Sequence, residues 1–297
     1  MKGSLISMAA AAGAVRKADV TLNGDLLVAA WIDHEEPDGR GLGPKELARK
    51  IRTGELDVNG VIVGEGPFDR LAIAQGGAAV FRISASGRKG APHTSTCFLK
   101  SNPILWSSLI VEELYRMDQE LESKEWHHLI PQRPSIQLGI LRAGDFYNRL
   151  PGSVEIVGTV RWDPQENFKD VRTRLEGRLA QLEERIRSTL DHEIEMRLEL
   201  DLSRDSSEID CENPLVRAVQ SAIAKTVGHP IPLAGWRVVS DQPFFVHEAG
   251  IPAIYFGPFT DDDMTAHSDC ESVSIERLVL MAQVYAASAL LYCGFTA

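Results

Sequence analysis

Residues 194–201 read Ile-Glu-Met-Arg-Leu-Glu-Leu-Asp, apolar and charged side chains in strict alternation. Successive side chains on an extended chain point to opposite faces, so this segment predicts a β-strand with one buried and one solvated face. Such strands belong to antiparallel sheets. The texture recurs upstream, where Phe81, Ile83 and Ala85 oppose Arg82 and Ser84, and Val154 and Ile156 oppose Glu155. Two amphipathic helices interrupt the series. One is expected over residues 103–121. The other carries Val171, Leu175, Leu179, Leu182, Ile186 and Leu190, whose spacing of four, four, three, four and four lines one helix face. The order strand, helix, two strands, helix, strand is the split β-α-β, or ferredoxin-like, pattern.

On both sides of this region the apolar runs are solid instead of alternating. Leu26 to Ile32 is continuously apolar and predicts a strand buried on both faces, as in a parallel sheet. Val61-Ile62-Val63 and Ala253 to Phe256 repeat the signal. Pro44 opens a short helix with Leu47 and Ile51 on one face, and further helices are expected over 214–227 and 275–291. The last is apolar nearly all round and predicts a buried helix. The fold class is therefore α/β: a doubly wound, mainly parallel sheet built from residues 1–76 and 207–297, with a ferredoxin-like α+β domain inserted at 77–206. Lys2 and the run from Leu5 to Val15 faintly resemble a signal peptide, but the run is alanine-rich with few large apolar residues and predicts a helix packed closely on a sheet. No later segment is expected to span a bilayer.

Composition narrows the function classes. In 297 residues, 44% are apolar and 25% charged, which excludes a disordered or fibrous chain. The net charge of -11 disfavours phosphate backbones and anionic lipid, so neither a nucleic-acid nor a membrane partner is expected. Cys97, Cys211, Cys270 and Cys293 stand far apart with no CxxC pair. This excludes a thiolate zinc knuckle or disulfide scaffold and points to a reducing, cytoplasmic compartment.

In open α/β sheets ligands bind at the carboxyl ends of the strands. Here those ends carry Asp33-His34-Glu35-Glu36, then Gly64-Glu65-Gly66-Pro67, then Gly257-Pro258-Phe259 and the loop with Ala266-His267-Ser268-Asp269. Carboxylates with a neutral imidazole suit zinc, manganese or cobalt. Adjacent glutamates add the means for one to hold a metal while the other holds a water, as metal-assisted hydrolysis requires. A blander reading stands beside this one: an acidic pair before Pro-Asp-Gly makes a solvated turn, Glu65 can cap a helix, and His267 can be an ordinary loop histidine.

Taken together these segments resemble a known family. Met1-Lys2-Gly3, the Asp33-His34-Glu35-Glu36 segment, Ile62-Val63-Gly64-Glu65, Gly90-Ala91-Pro92-His93-Thr94-Ser95 with Asn102-Pro103-Ile104, Gly144 with Asn148-Arg149-Leu150-Pro151, Gly250-Ile251-Pro252, Gly257-Pro258 and Ala266-His267-Ser268-Asp269 follow one another in its order. The family is that of the zinc-dependent aminoacylases, carboxypeptidase G, acetylornithine deacetylase and succinyl-diaminopimelate desuccinylase. The resemblance implies hydrolysis of the amide bond in N-acyl amino acids or small peptides. It implies Glu35 as general base and Glu36, Glu65 and His267 as metal ligands. His93 would reach from a partner subunit's lid to stabilise the oxyanion, while Asn102, Arg161 and Gly257 would bind substrate. Asn102 reads equally as the N-cap of the helix opened by Pro103, and Arg161 equally as one half of a surface salt bridge. Asp241 and Glu271 fall near acidic positions of the family and are expected to be structural.

The resemblance also implies a homodimer through the inserted domain. The strand at 81–86 and the helix at 103–121 are expected to offer a free edge and a helix face for isologous pairing. Two zinc, cobalt or manganese ions per site are the family's pattern. The family's first strand carries His-x-Asp, and its bridging aspartate immediately precedes Met-Lys-Gly. Neither stands in this sequence, so the expectation is an N-terminally truncated family member of impaired activity that binds at most one metal weakly. The alternative is a non-catalytic dimerisation or binding module. Phe259 replaces a usual glycine and is expected to crowd the carboxylate end of a substrate.

Overall fold

The computed structural model describes residues 2–33, 41–87, 92–190, 194–236, 238–260 and 268–296. In chain order its elements are α1 (Lys2–Lys17), β1 (Thr21–Leu22), α2 (Leu42–Arg52), β2 (Val61–Val63), β3 (Leu71–Gln75), β4 (Gly77–Ser86), α3 (Pro103–Glu122), β5 (Ser135–Ala143), β6 (Ser153–Trp162), α4 (Phe168–Leu190), β7 (Glu195–Arg204), β8 (Ser207–Glu208), α5 (Pro214–Val227), β9 (Leu233–Trp236), β10 (Ala253–Tyr255), α6 (Ile275–Cys293) and β11 (Phe295–Thr296). They form two compact units. The first comprises Met1–Gln75, Leu129–Pro131 and Ser207–Ala297, the second Gly76–His128 and Gln132–Ser206.

The second unit is a four-stranded antiparallel sheet in the order β5-β6-β4-β7. The alternation set out above decides which way each strand faces. Ile83 pairs with Ile156 on one side and Leu198 on the other, bringing the apolar set to one face. Trp106, Ile110, Leu114 and Met117 of α3 and Val171, Leu175, Leu179 and Leu182 of α4 pack against that face in one buried cluster. The opposite face carries charge, with Arg82 bonded to Glu155 and Glu155 also 3.2 Å from Arg142. The expected free edge at residues 81–86 is corrected. β4 is flanked by β6 and β7 along its length, and the outer strands are β5 and β7. A strand that starts a split β-α-β unit ends in the interior because the closing strand docks beside it.

The first unit holds a mixed sheet. β10 runs parallel to β2, and β9 parallel to β3, whereas β10 and β8 both run antiparallel to β3. The mainly parallel sheet expected from the solid runs is corrected accordingly. The chain leaves this unit along β3 and returns along β8, and outgoing and returning strands placed side by side must run in opposite directions.

Leu26 to Ile32 is not a strand. It has no ladder partner among the described residues, and Leu26, Leu27 and Ile32 are exposed, Ile32 by 82%. Apolar composition sets what a strand would bury, but extended backbone persists as a strand only when a neighbour takes its hydrogen bonds. The closing helix also departs from expectation. α6 buries one face, Met281, Val284, Tyr285, Ser288 and Ala289, against α1 and α5, while Ile275, Val279 and Leu291 are exposed. By length and composition alone it could cross a membrane, contrary to the expectation that no later segment could. Its Tyr285 hydroxyl donates to Phe256 O at 2.7 Å, tying it to the end of β10. Small residues let α1 approach closely: Ser4, Ser7 and Ala11 are buried, and Ser7 Oγ donates to Leu278 O at 2.8 Å.

Candidate active site

The expected site residues divide between the two units. In the first, Glu65 follows β2 and Gly257 follows β10, two neighbouring parallel strands that end on the same side of the sheet. Glu35, Glu36 and His267 lie outside the described residues. Asp33, the last described residue before the acidic pair, has a left-handed backbone with φ 67°. Its carbonyl accepts from Gly41 N at 2.9 Å, and its carboxylate accepts from Leu42 N at 2.9 Å, capping the start of α2.

Glycine at 257 is a steric requirement. A Cβ there would lie 2.7 Å from Glu65 C and from Gly66 N, and 2.8 Å from Gly66 O. Three backbone bonds hold the two loops together: Phe68 N to Phe259 O at 2.7 Å, Phe259 N to Gly66 O at 3.1 Å and Gly257 N to Pro67 O at 3.4 Å. Gly257 thus fixes the backbone that carries Glu65. The Phe259 ring meets Trp236 edge-on, with centroids 5.5 Å apart.

Beneath Glu65 lies a polar network that the motif reading missed. The fully buried Ser240 donates its hydroxyl to Glu65 Oε2, and its N–H donates to Gln75 Oε1 at 2.9 Å. The Tyr255 hydroxyl donates to the same Gln75 oxygen and accepts from Gln242 N at 2.7 Å. The Gln242 side chain spans three strands, donating to Ile73 O at 3.0 Å and Ala253 O at 2.7 Å and accepting from Ser207 Oγ at 2.7 Å. Burial pushes the Tyr255 phenol well above its ordinary pKa, and Asp241 and Glu65 add to the rise, so it serves as a neutral donor. Asp241, buried, accepts from Trp31 Nε1 at 3.0 Å, a structural contact that anchors the end of the 26–32 run. The sequence signal was present in Ser240-Asp241-Gln242, three polar residues between Val238-Val239 and Pro243-Phe244-Phe245.

In the second unit, His93 caps a short turn at Thr94–Thr96 and its ring is exposed. Its Nδ1 lies 2.7 Å from Ser95 Oγ and 3.2 Å from Ser95 N; its Nε2 lies 2.6 Å from the Asn148 side-chain amide. The other end of that amide is 2.5 Å from Thr94 Oγ1. Asn148 belongs to a motif quoted above but was given no role there. Asn102 caps α3, accepting from Ile104 N at 2.9 Å, so its side chain does what the structural alternative required. Arg161 is exposed opposite Ala78 and Ser135 and makes no ion pair among the described residues.

No three His, Cys, Asp or Glu side chains gather to hold a metal ion among the described residues. Of the three implied ligands only Glu65 is described. It fits in kind, as a hard oxygen donor at a strand end, oriented by a neutral hydroxyl.

The profile of Peptidase family M20/M25/M40 matches residues 1–290. The chain belongs to peptidase family M20. It is a member of a metallopeptidase and amidohydrolase family, as the order of segments from Met1-Lys2-Gly3 to Ala266-His267-Ser268-Asp269 implied. Solved structures similar to this M20 chain include the aminopeptidase PepT of Bacillus cereus, at 14% identity and a TM-score of 0.70, covering 98% of this chain and 70% of that one. The di-peptidase Dug1p of Saccharomyces cerevisiae matches at 14% identity and TM-score 0.59, covering 86% of this chain and 64% of that one. The Bacillus subtilis protein YXEP, described as a dinuclear metal-binding M20 peptidase, matches at 17% and 0.55, covering 83% and 61%. At these identities the likeness is one of fold. The chain spans about two-thirds of the length of such structures. A comparison with curated sequences finds no match.

Proposed function

We propose that the chain is a metal-dependent hydrolase of the amide bond in N-acyl amino acids or small peptides. The observation that carries this reading is the family match over residues 1–290, with Glu65 at a strand end where the family resemblance calls for a ligand. Glu36, Glu65 and His267 hold a divalent ion such as zinc, cobalt or manganese. That ion, when bound, polarises the scissile carbonyl and acidifies water. Glu35 takes a proton from the attacking water and returns it to the leaving amine. His93, from a partner's lid in a homodimer, places a donor against the developing oxyanion. Arg161, exposed and without an ion-pair partner among the described residues, receives the substrate carboxylate. Gly257, packed on the 65–66 backbone, presents its own backbone to the substrate beside Glu65. The four free cysteines support a reducing, cytoplasmic setting.

The test separates base from ligand. Glu35→Gln keeps metal content and abolishes hydrolysis of N-acetyl amino acids and dipeptides, because it removes the base and keeps the shape. Glu36→Gln lowers metal content as well, read by atomic emission. Equal metal loss in both variants overturns the assignment.

A further inference from the structure

We propose that Ser240 is the positioning residue for Glu65, a hydroxyl bolted into the sheet that fixes how this carboxylate meets its metal ion. The inference rests on the reading of Glu65 as a ligand and adds to it the residues that hold Glu65 in place.

A ligating carboxylate on a partly buried loop end loses rotamer entropy when it binds an ion, unless something has already chosen its orientation. Ser240 makes that choice, because it is itself fixed at both ends. Its hydroxyl donates to Glu65 Oε2, and its N–H donates to Gln75 Oε1 at 2.9 Å. Gln75 is held by the Tyr255 hydroxyl, and the segment after Ser240 is held by Gln242 N on that same hydroxyl at 2.7 Å. Gln242 in turn reaches the backbone of β3 and β10 and the Ser207 hydroxyl of β8.

Ser240, Gln75, Gln242 and Tyr255 are all 0% exposed, and every contact in this chain lies within the first unit. Buried polar groups are costly unless paired, so a network of this size in a sheet core demands a reason beyond packing. Glu65, at its upper end, is only partly buried.

The test uses Co²⁺ alone as probe, titrated into the apo-protein against a chromophoric chelator, with the visible spectrum of the bound ion recorded. Ser240→Ala removes one buried oxygen. It is expected to weaken Co²⁺ binding by about tenfold to a hundredfold and to change the cobalt spectrum, with far-UV circular dichroism unchanged. Tyr255→Phe leaves Ser240 in place but unclamps Gln75, and is expected to weaken binding less, in the same direction. It also serves if Ser240→Ala fails to fold.

Unchanged affinity and spectrum in a folded Ser240→Ala, or in Tyr255→Phe where it stands in, overturn the proposal while leaving Glu65 a ligand. A wild-type chain that takes up no Co²⁺ overturns the ligand reading and this proposal with it.

Discussion

The Asn148 side-chain amide lies 2.6 Å from Nε2 of His93, while Nδ1 of the same ring accepts the Ser95 backbone N–H at 3.2 Å. A neutral imidazole carries one proton and cannot accept at both nitrogens. Of the two partners the backbone N–H is fixed in place, whereas an amide can turn over about its last torsion. Nδ1 is then the acceptor, Nε2 carries the proton, and Asn148 faces it with its oxygen while its nitrogen faces Thr94 Oγ1, 2.5 Å away. Hydroxyls at Thr94 and Ser95 rotate to suit. Nε2–H is the polarity needed to stabilise an oxyanion.

Nitrogen-15 spectra of the neutral His93 ring are therefore expected to show Nε2 protonated and Nδ1 bare. Asn148→Asp, which can only accept, should leave that tautomer in place. Asn148→Ala should free the ring and lower hydrolysis by about tenfold to a hundredfold, the scale of a misplaced catalytic group. Protonation at Nδ1 in the wild-type chain contradicts the assignment.

What could be read from the sequence followed from how local each signal is. Alternation at 194–201 and the four-three spacing in α4 are properties of one segment, and both faces came out as expected. The 26–32 run failed because a strand needs a neighbour, and hydropathy within a segment says nothing about who lies beside it. The position of β4 failed for the same reason: a strand's own pattern gives its buried face, not its rank in the sheet. Glu65 and His93 were named from motifs, whereas the partners that hold them, Ser240 and Asn148, do so by contacts across 175 and 55 positions of sequence.

The proposed dimerisation through the second unit would use β5. Leu138 and Leu141 lie on this outer strand and are 45% and 52% exposed, and Ile104 and Tyr115 of α3 are exposed as well. An apolar outer strand of this kind invites pairing with a second copy. Sedimentation at micromolar concentration is expected to give a dimer for the wild-type chain and a folded monomer for Leu141→Lys. A dimer unaffected by the lysine would remove β5 from the interface.

The same region supplies a pH-dependent element of stability. Asp118 on α3 accepts from Arg133 at 3.0 Å and from Ile136 N, at the start of β5, at 2.8 Å. Burial pushes its carboxyl up, but the Arg133 and Ile136 bonds outweigh that and hold it below the ordinary value. A depressed folded-state pKa contributes stability that is present above the unfolded pKa and is lost as pH falls through the folded one. Asp118→Ala is expected to cost about 1–3 kcal/mol at neutral pH, measured by urea denaturation. The difference from wild type should shrink as pH drops below about 4; a constant difference would argue against the ion pair as its source.

Gly257→Ala tests the close approach that carries Glu65. The added methyl would sit 2.7 Å from two backbone atoms of the 65–66 segment, and backbone cannot step aside as a flexible side chain can. The loops must separate, weakening the bonds between Gly66, Phe68 and Phe259 that lock them. Overpacking of this kind costs about 1–3 kcal/mol, which a thermal melt of the apo-protein would register. The strain falls on the residue bearing the carboxylate, so Co²⁺ affinity should fall too, and with it the cobalt spectrum should change. Gly250→Ala, with the same residue types but no neighbour within 4 Å of the new Cβ, is the control. Its φ of 70° also strains alanine, so it loses stability through backbone conformation alone and should leave metal affinity where it was. If both variants lose stability and neither changes cobalt binding, Gly257 serves the fold and not the carboxylate beside it.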